Sequence, residues 1–344
     1  MNSQKPNHIL VIRLSALGDV AMTVPVLRAF IQQFPNVKIT VLTKAFFTPL
    51  FRDLPEVEVF VADIKGPHKG VFGLWRLAKE LKSLGFDAVA DFHNVLRSNI
   101  LKFFFFFLSR IRVVQIDKGR AEKKALIKGL KFQQLKSTHQ RYADVLKKLG
   151  YPVDLSNPSF PIRAVIDSEV SEYIGKDTRK WIGIAPFAAF KGKMYPIDLI
   201  EQVIDTLAKN NKVLLFGAGK GEKRILDKLS KNKKAVINLA GRFTLNQELD
   251  IISNLDLMVS MDSANGHLAA MLGIKVLTLW GVTHPYAGFY PFNQDENNAL
   301  LADRKQFPQI PTSVYGKKVP EGYDKVMRTI SPNAVVLKAE QVLK

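Results

Sequence analysis

Short apolar, β-branched runs alternate along the chain with longer stretches whose apolar positions recur at helical spacing. In the first half, the runs at 9–14, 38–42, 57–61, 88–91 and 113–116 predict strands. The stretches at 20–33, 71–84 and 140–149 predict helices. Strands that alternate with helices point to a parallel sheet covered on both faces. Gly150-Tyr151-Pro152 closes the last of these helices, and three prolines follow within 151–163, where the linker is placed. The second half repeats the pattern, with strands at 181–185, 212–216, 235–238, 257–260 and 276–279. Helices are expected at 196–208, 221–229, 246–254 and 265–272. Residues 286–330 show no clear period and are expected to form loops.

The expected fold class is therefore α/β, with two Rossmann-like domains at 1–155 and 156–344. The C-terminal helix could stay with the second domain or pack back on the first. A length of 344 residues suits two such cores. The hydrophobic fraction of 47% and charged fraction of 24% argue against a disordered chain. No cysteine is present, which removes disulfides, thiolate metal sites and a cysteine nucleophile. The apolar run at the N-terminus is short and broken by Arg13, unlike a signal peptide. The block from Phe103 to Leu108 is too short to span a bilayer. Its five consecutive phenylalanines either cover every face of a buried helix, packing mostly inward, or form a membrane-facing patch. A cytosolic chain is expected, attached at most to a membrane surface.

Charge changes this picture. The net charge is +19, and residues 1–150 hold 25 Lys/Arg against 11 Asp/Glu, while residues 151–344 hold 25 against 20. A basic first half implies an anionic partner or simply a solubilising surface. Candidate chemistry lies in the loops after strands, where doubly wound folds bind ligands. Ser15-Ala16-Leu17-Gly18-Asp19 joins the first strand to a helix. Asp19 there is either an N-terminal helix cap or a carboxylate able to take a proton from a hydroxyl. Asp262, Ser263, Ala264, Asn265, Gly266 and His267 open a helix after a strand, as an anion cradle or as a capped helix. Lys191 and Lys193, in the loop 186–196, could neutralise a diphosphate or simply be solvated. Gly217-Ala218-Gly219 is a weak phosphate signal. No Asp-x-Asp and no zinc-type spacing occurs, so no metal and no cofactor are expected.

These strings resemble the heptosyltransferases, glycosyltransferase family 9. The resemblance is carried by Ile12-Arg13-Leu14-Ser15-Ala16-Leu17-Gly18-Asp19-Val20, by Lys193-Met194-Tyr195-Pro196, by Asp262-Ser263 with His267-Leu268-Ala269, and by Gly281-Val282-Thr283-His284-Pro285. It implies a GT-B fold with a central cleft and an inverting, metal-independent transfer of heptose from ADP-heptose to the inner core of lipopolysaccharide. It makes Asp19 and Lys193 the catalytic pair. It gives the donor Ala188, Ala189, Lys191, Glu222 (ribose), Phe243 (adenine), Asp262, Ser263, Ala264, Asn265, Gly266 and His267. The acceptor would meet Ser15, Gly18, Arg97, Arg120 and Arg141. Ala188-Ala189 and Ala264 depart from the family pattern of hydroxyl residues and glycine.

The implied partners are an ADP-sugar, an anionic glycolipid and the inner face of the inner membrane, with no nucleic acid and a monomeric chain. Ten Lys/Arg against two Asp/Glu between Arg110 and Arg141 suit such a lipid surface. Two rivals remain: a related transferase for another nucleotide sugar, and a non-catalytic basic protein for membrane or nucleic acid.

Overall fold

The computed structural model describes residues 5–344. They form two compact units. One takes the chain through Lys118 and then Thr138–Ser159; the other takes Gly119–Ser137 and Phe160–Lys344. The chain passes finally into the second unit after Ser159, and the segment 119–137 also joins that unit. Its sparse apolar side chains explain why periodicity could not place it. Leu126 and Leu135 form a small cluster with Ala287, and Arg304 lies 3.5 Å over the Phe132 ring.

The first unit is built on five parallel strands: β1 (His8–Ile12), β2 (Lys38–Thr43), β3 (Val57–Val61), β4 (Ala88–Asp91) and β5 (Arg112–Gln115). Their order is β3-β2-β1-β4-β5. Every residue of β1 is buried, as expected for a central strand covered on both faces. Ile12 pairs with both Leu42 and Asp91, so β1, β2 and β4 end together. The chain order reverses between β1 and β4, and the loops after these strands leave side by side.

The expected helix 20–33 is two helices, Leu17–Ala21 and Thr23–Gln33. The phenylalanine run lies on helix Leu96–Ser109. Phe105 is buried there, but Phe103, Phe106 and Phe107 are 58%, 62% and 65% exposed, so the run does not pack wholly inward. One helix has only one inward stripe, and Leu101 and Phe105 fill it.

The second unit has six parallel strands: β6 (Trp181–Ala185), β7 (Lys212–Leu215), β8 (Val236–Asn238), β9 (Leu257–Met261), β10 (Val276–Trp280) and β11 (Ala299–Leu301). Their order is β11-β10-β9-β6-β7-β8, so the reversal falls between β6 and β9. The C-terminal helix Pro332–Leu343 belongs to the second unit. Val335, Val336, Ala339 and Val342 enter the core of the second. Residues 286–330 also contribute to that core through Ile310, Val326 and Met327 and supply β11, which replaces the expectation of loops alone.

Candidate active site

In the first unit the site begins where β1 ends. Arg13 is buried, and its guanidinium donates to the Phe92 carbonyl at 2.7 Å and pairs with Asp19 Oδ2 at 2.6 Å. The Ala16 N–H donates to the same oxygen at 3.2 Å. Asp19 is thus the third residue of helix Leu17–Ala21, reaching back to the residue before it, rather than the cap itself. Among the described residues no hydrogen bond reaches Oδ1, and the side chain is 31% exposed. One carboxylate oxygen is held by these contacts, and the side chain as a whole keeps partial access to solvent.

Neighbours from β4 complete this corner. Asp91, fully buried, accepts from the N–H groups of His93 and Asn94 and from Gln115 Nε2. This turn sets His93 Nε2 3.3 Å from Ser15 Oγ. Burial, with Arg13 nearby, pushes the His93 pKa down to about 4, so it is neutral at ordinary pH. Phe92 stacks on Tyr142 at 4.5 Å, and the Tyr142 hydroxyl donates to the Asp19 carbonyl at 3.3 Å.

In the second unit the loops after β6 and β9 meet. Lys193 Nζ pairs with Asp262 Oδ2 at 2.9 Å, the side chains being 13% and 8% exposed. The turn Lys191–Lys193 lies flat on the segment after β10, and the Val282 N–H donates to the Gly192 carbonyl at 3.1 Å. A Cβ on Gly192 would come within 2.6 Å of Val282. Gly316, at φ +81°, packs on the Lys193 stem so closely that a Cβ would lie 2.5 Å from it.

Next to Asp262, Ser263 precedes helix Ala264–Met271 without capping it; its hydroxyl instead meets that of Ser260 at 3.0 Å. The first N–H groups of that helix have no side-chain cap and suit an anion. Among the described residues no group of three or more His, Asp or Glu could hold a metal ion.

A model of glycosyltransferase family 9 (heptosyltransferase) matches residues 74–318. The chain belongs to that family. Like its other members it is a glycosyltransferase. It is 24% identical over 301 residues to the lipopolysaccharide core heptosyltransferase OpsX of Haemophilus influenzae, covering 86% of this chain and 84% of that one. A crystal structure of a family 9 glycosyl transferase from Veillonella parvula matches with a TM-score of 0.75 at 21% identity, over 98% of this chain and 97% of that one. The E. coli structure described as ADP-heptose lps heptosyltransferase II matches with a TM-score of 0.68 at 20% identity, over 98% of each chain. At such identity the likeness is one of fold, and it makes the two parallel sheets those of a GT-B transferase.

In this family 9 transferase the expected residues do not all gather at the two corners. Ser15, Gly18 and Asp19 share the β1 loop, whereas Arg141 is buried and donates to the Asp117 carbonyl at 3.2 Å. Helix Thr138–Lys148 turns Arg141 inward because it lies on the stripe that also buries Tyr142 and Val145. Arg97 is exposed at the start of helix Leu96–Ser109, and Ser98 is occupied with the Val95 backbone at 3.0 Å. Arg120 is exposed but belongs to the second unit.

Among the residues expected at the donor, Asp262, Ser263, Ala264, Asn265, Gly266 and His267 lie together at the loop after β9 and the first turn of its helix. Ala188, Ala189 and Lys191 lie on the β6 loop, Ala188 against the core and the other two exposed. Glu222 accepts from the Ala218 N–H at 2.7 Å and closes the glycine loop after β7. Phe243 meets the Tyr173 ring edge at 5.5 Å, and Arg242 lies 4.4 Å over the same ring. Sequence reasoning assigned no role to Arg13, His93, Tyr142 or Gly316. Arg13 was findable, as a charged residue directly after a wholly apolar strand; the other three depend on packing distant in sequence.

Proposed function

We propose that this transferase moves heptose from ADP-heptose to the inner core of lipopolysaccharide, inverting the anomeric centre and needing no metal. The observation that carries the reading is a cation–carboxylate pair at the strand-order reversal of each sheet, one with a partly exposed carboxylate and one beside an uncapped helix. The heptosyltransferases that this chain resembles supply the sugar and the acceptor of this reading. In this reading the first unit holds the acceptor and the second the donor. Asp19 Oδ1 takes the proton of an acceptor hydroxyl as its oxygen bonds to the anomeric carbon. The bond from that carbon to the β-phosphate oxygen breaks, and ADP leaves with the charge. Lys193 keeps ammonium protons for the phosphates while Asp262 orients it, and the helix N–H groups share the load. Glu222 and Phe243 are assigned to ribose and adenine. Arg13 positions Asp19. Localisation on the cytoplasmic side, as a monomer, belongs to the same reading.

The test is purified protein with ADP-heptose and a heptose-deficient core acceptor. A mass increase of one heptose, insensitivity to chelator and an inverted anomeric signal by NMR are expected. ADP-heptose left intact while another nucleotide sugar is consumed would establish the rival reading. Ala188, Ala189 and Ala264 favour keeping that rival, because they remove polar contacts to the donor.

A further inference from the structure

We propose that the first unit carries a docking surface for an anionic phospholipid bilayer, formed by helices Gly70–Lys82 and Leu96–Ser109. Phe103, Phe106 and Phe107 have the i, i+3, i+4 spacing of a buried helix face, yet more than half of each side chain is in solvent. They belong to a continuous row of rings. Phe106 meets Phe107 at 5.5 Å, Phe107 meets Phe103 at 4.6 Å, Phe103 meets Phe104 at 5.9 Å, and Phe104 meets Trp75 at 5.0 Å. Phe72, 90% exposed, stands one turn before Trp75 on the same helix face. A soluble protein rarely leaves such a cluster in water, and bulky rings at a polar boundary suit the headgroup level of a bilayer.

Charge selects the occupant. Residues 69–112 contain eight Lys/Arg and three Asp/Glu, and helix Leu96–Ser109 contains no acid. The three acids are engaged: Glu80 with His68 at 3.0 Å, Asp87 with the Asn7 and His8 N–H groups, and Asp91 in the β4 turn. Lys79 lies 5.8 Å over the Trp75 ring. A second copy of this chain docking through the same patch would set like charges against each other. An anionic lipid surface neutralises them and takes up the rings. Among the described residues no helix is long and apolar enough to cross a membrane, so the contact is interfacial.

The experiment uses the full chain with vesicles of phosphatidylcholine, alone or mixed with phosphatidylglycerol. Sedimentation with the mixed vesicles is expected, weakening with salt, together with quenching of Trp75 by lipids brominated on the acyl chain. The triple variant Phe103→Ser, Phe106→Ser, Phe107→Ser should lower the partition coefficient by more than about tenfold at an unchanged Tm. The pair Arg76→Glu, Arg110→Glu should lower it on mixed vesicles and leave the weak binding to phosphatidylcholine alone. No vesicle binding by the wild type, equal binding by the triple variant, or a wild-type dimer that the triple variant turns into a monomer would each overturn the proposal.

Discussion

The two strand-order reversals solve one problem in different ways. At the β1–β4 reversal, Arg13 and Asp19 come from a single loop, and the carboxylate stays partly open. At the β6–β9 reversal, Lys193 and Asp262 come from two loops and are nearly closed off from water. An acid that must take and release a proton needs access, whereas charges that receive a leaving group work best fixed beforehand in a dry setting. The contrast predicts different failures. The first corner should lose chemistry without losing stability; the second should lose both.

The largest effect tests the first half of that statement. Asp19→Asn keeps the shape and its contact to Arg13 but lacks a basic oxygen. Turnover is expected to fall roughly 10²–10⁴-fold, while the unfolding midpoint moves little because the carboxylate is partly solvated. Rates within a few-fold of wild type would assign the proton to another group.

Lys193→Ala is expected to cost roughly 10²–10³ in kcat and also about 3 kcal/mol of stability, since it strands the Asp262 carboxylate without its cation. The double variant Lys193→Ala, Asp262→Ala should regain most of the stability and none of the activity. If it stays as unstable as the single variant, the loss does not come from an unpaired charge, and the contrast between the corners fails. Gly316→Ala probes the same corner from behind. The new methyl group would push on the Lys193 stem from a backbone at φ +81°, so roughly tenfold lower activity is expected with Asp262 intact.

How far the sequence reveals these corners follows from the same difference. The β1 loop is written within a few residues, so Asp19 and its helix could be placed from the order of residues alone. Strands β3, β4 and β6 were legible to the residue: β4 and β6 are short, mostly apolar buried runs, and β3 is a short β-branched run bounded by turn residues, interrupted only by Glu58. The Lys193–Asp262 pairing was not legible, because it needs two loops and the Gly281–Val282 backbone to converge. The burial of Arg141 was not legible either, because it follows from the inward stripe of Thr138–Lys148 rather than from the residue's charge. The strap 119–137 carries too few apolar residues to announce which unit it joins. The phenylalanine run is a further case. Its composition left burial and exposure open, and only the packing reveals that three of its five rings lie more than half in solvent.

The smallest expected effect separates the units by pH. His93, in the first unit, has its pKa lowered by burial to about 4 from an ordinary value of 6.5. Between those values the unfolded chain takes up a proton that the folded unit refuses. The first unit therefore loses stability as pH falls from about 6.5 to 4. Glu248, half-buried in the first turn of helix Leu245–Ser253, behaves oppositely: burial pushes its pKa up to about 7 from 4.5. The folded second unit holds a proton that the unfolded chain releases, so its stability falls as pH rises from about 4.5 to 7 and is level above that. Each slope is worth roughly 1–2 kcal/mol after allowing for solvent at Glu248. Glu248→Gln should raise the denaturation midpoint of the second unit at pH 8 and leave it unchanged at pH 4. His93→Gln should flatten the acid slope of the first unit alone. Hydrogen exchange followed separately in β1 and β9 reads the two units in one sample; slopes of the same sign in both would show that these two groups do not set the pH response.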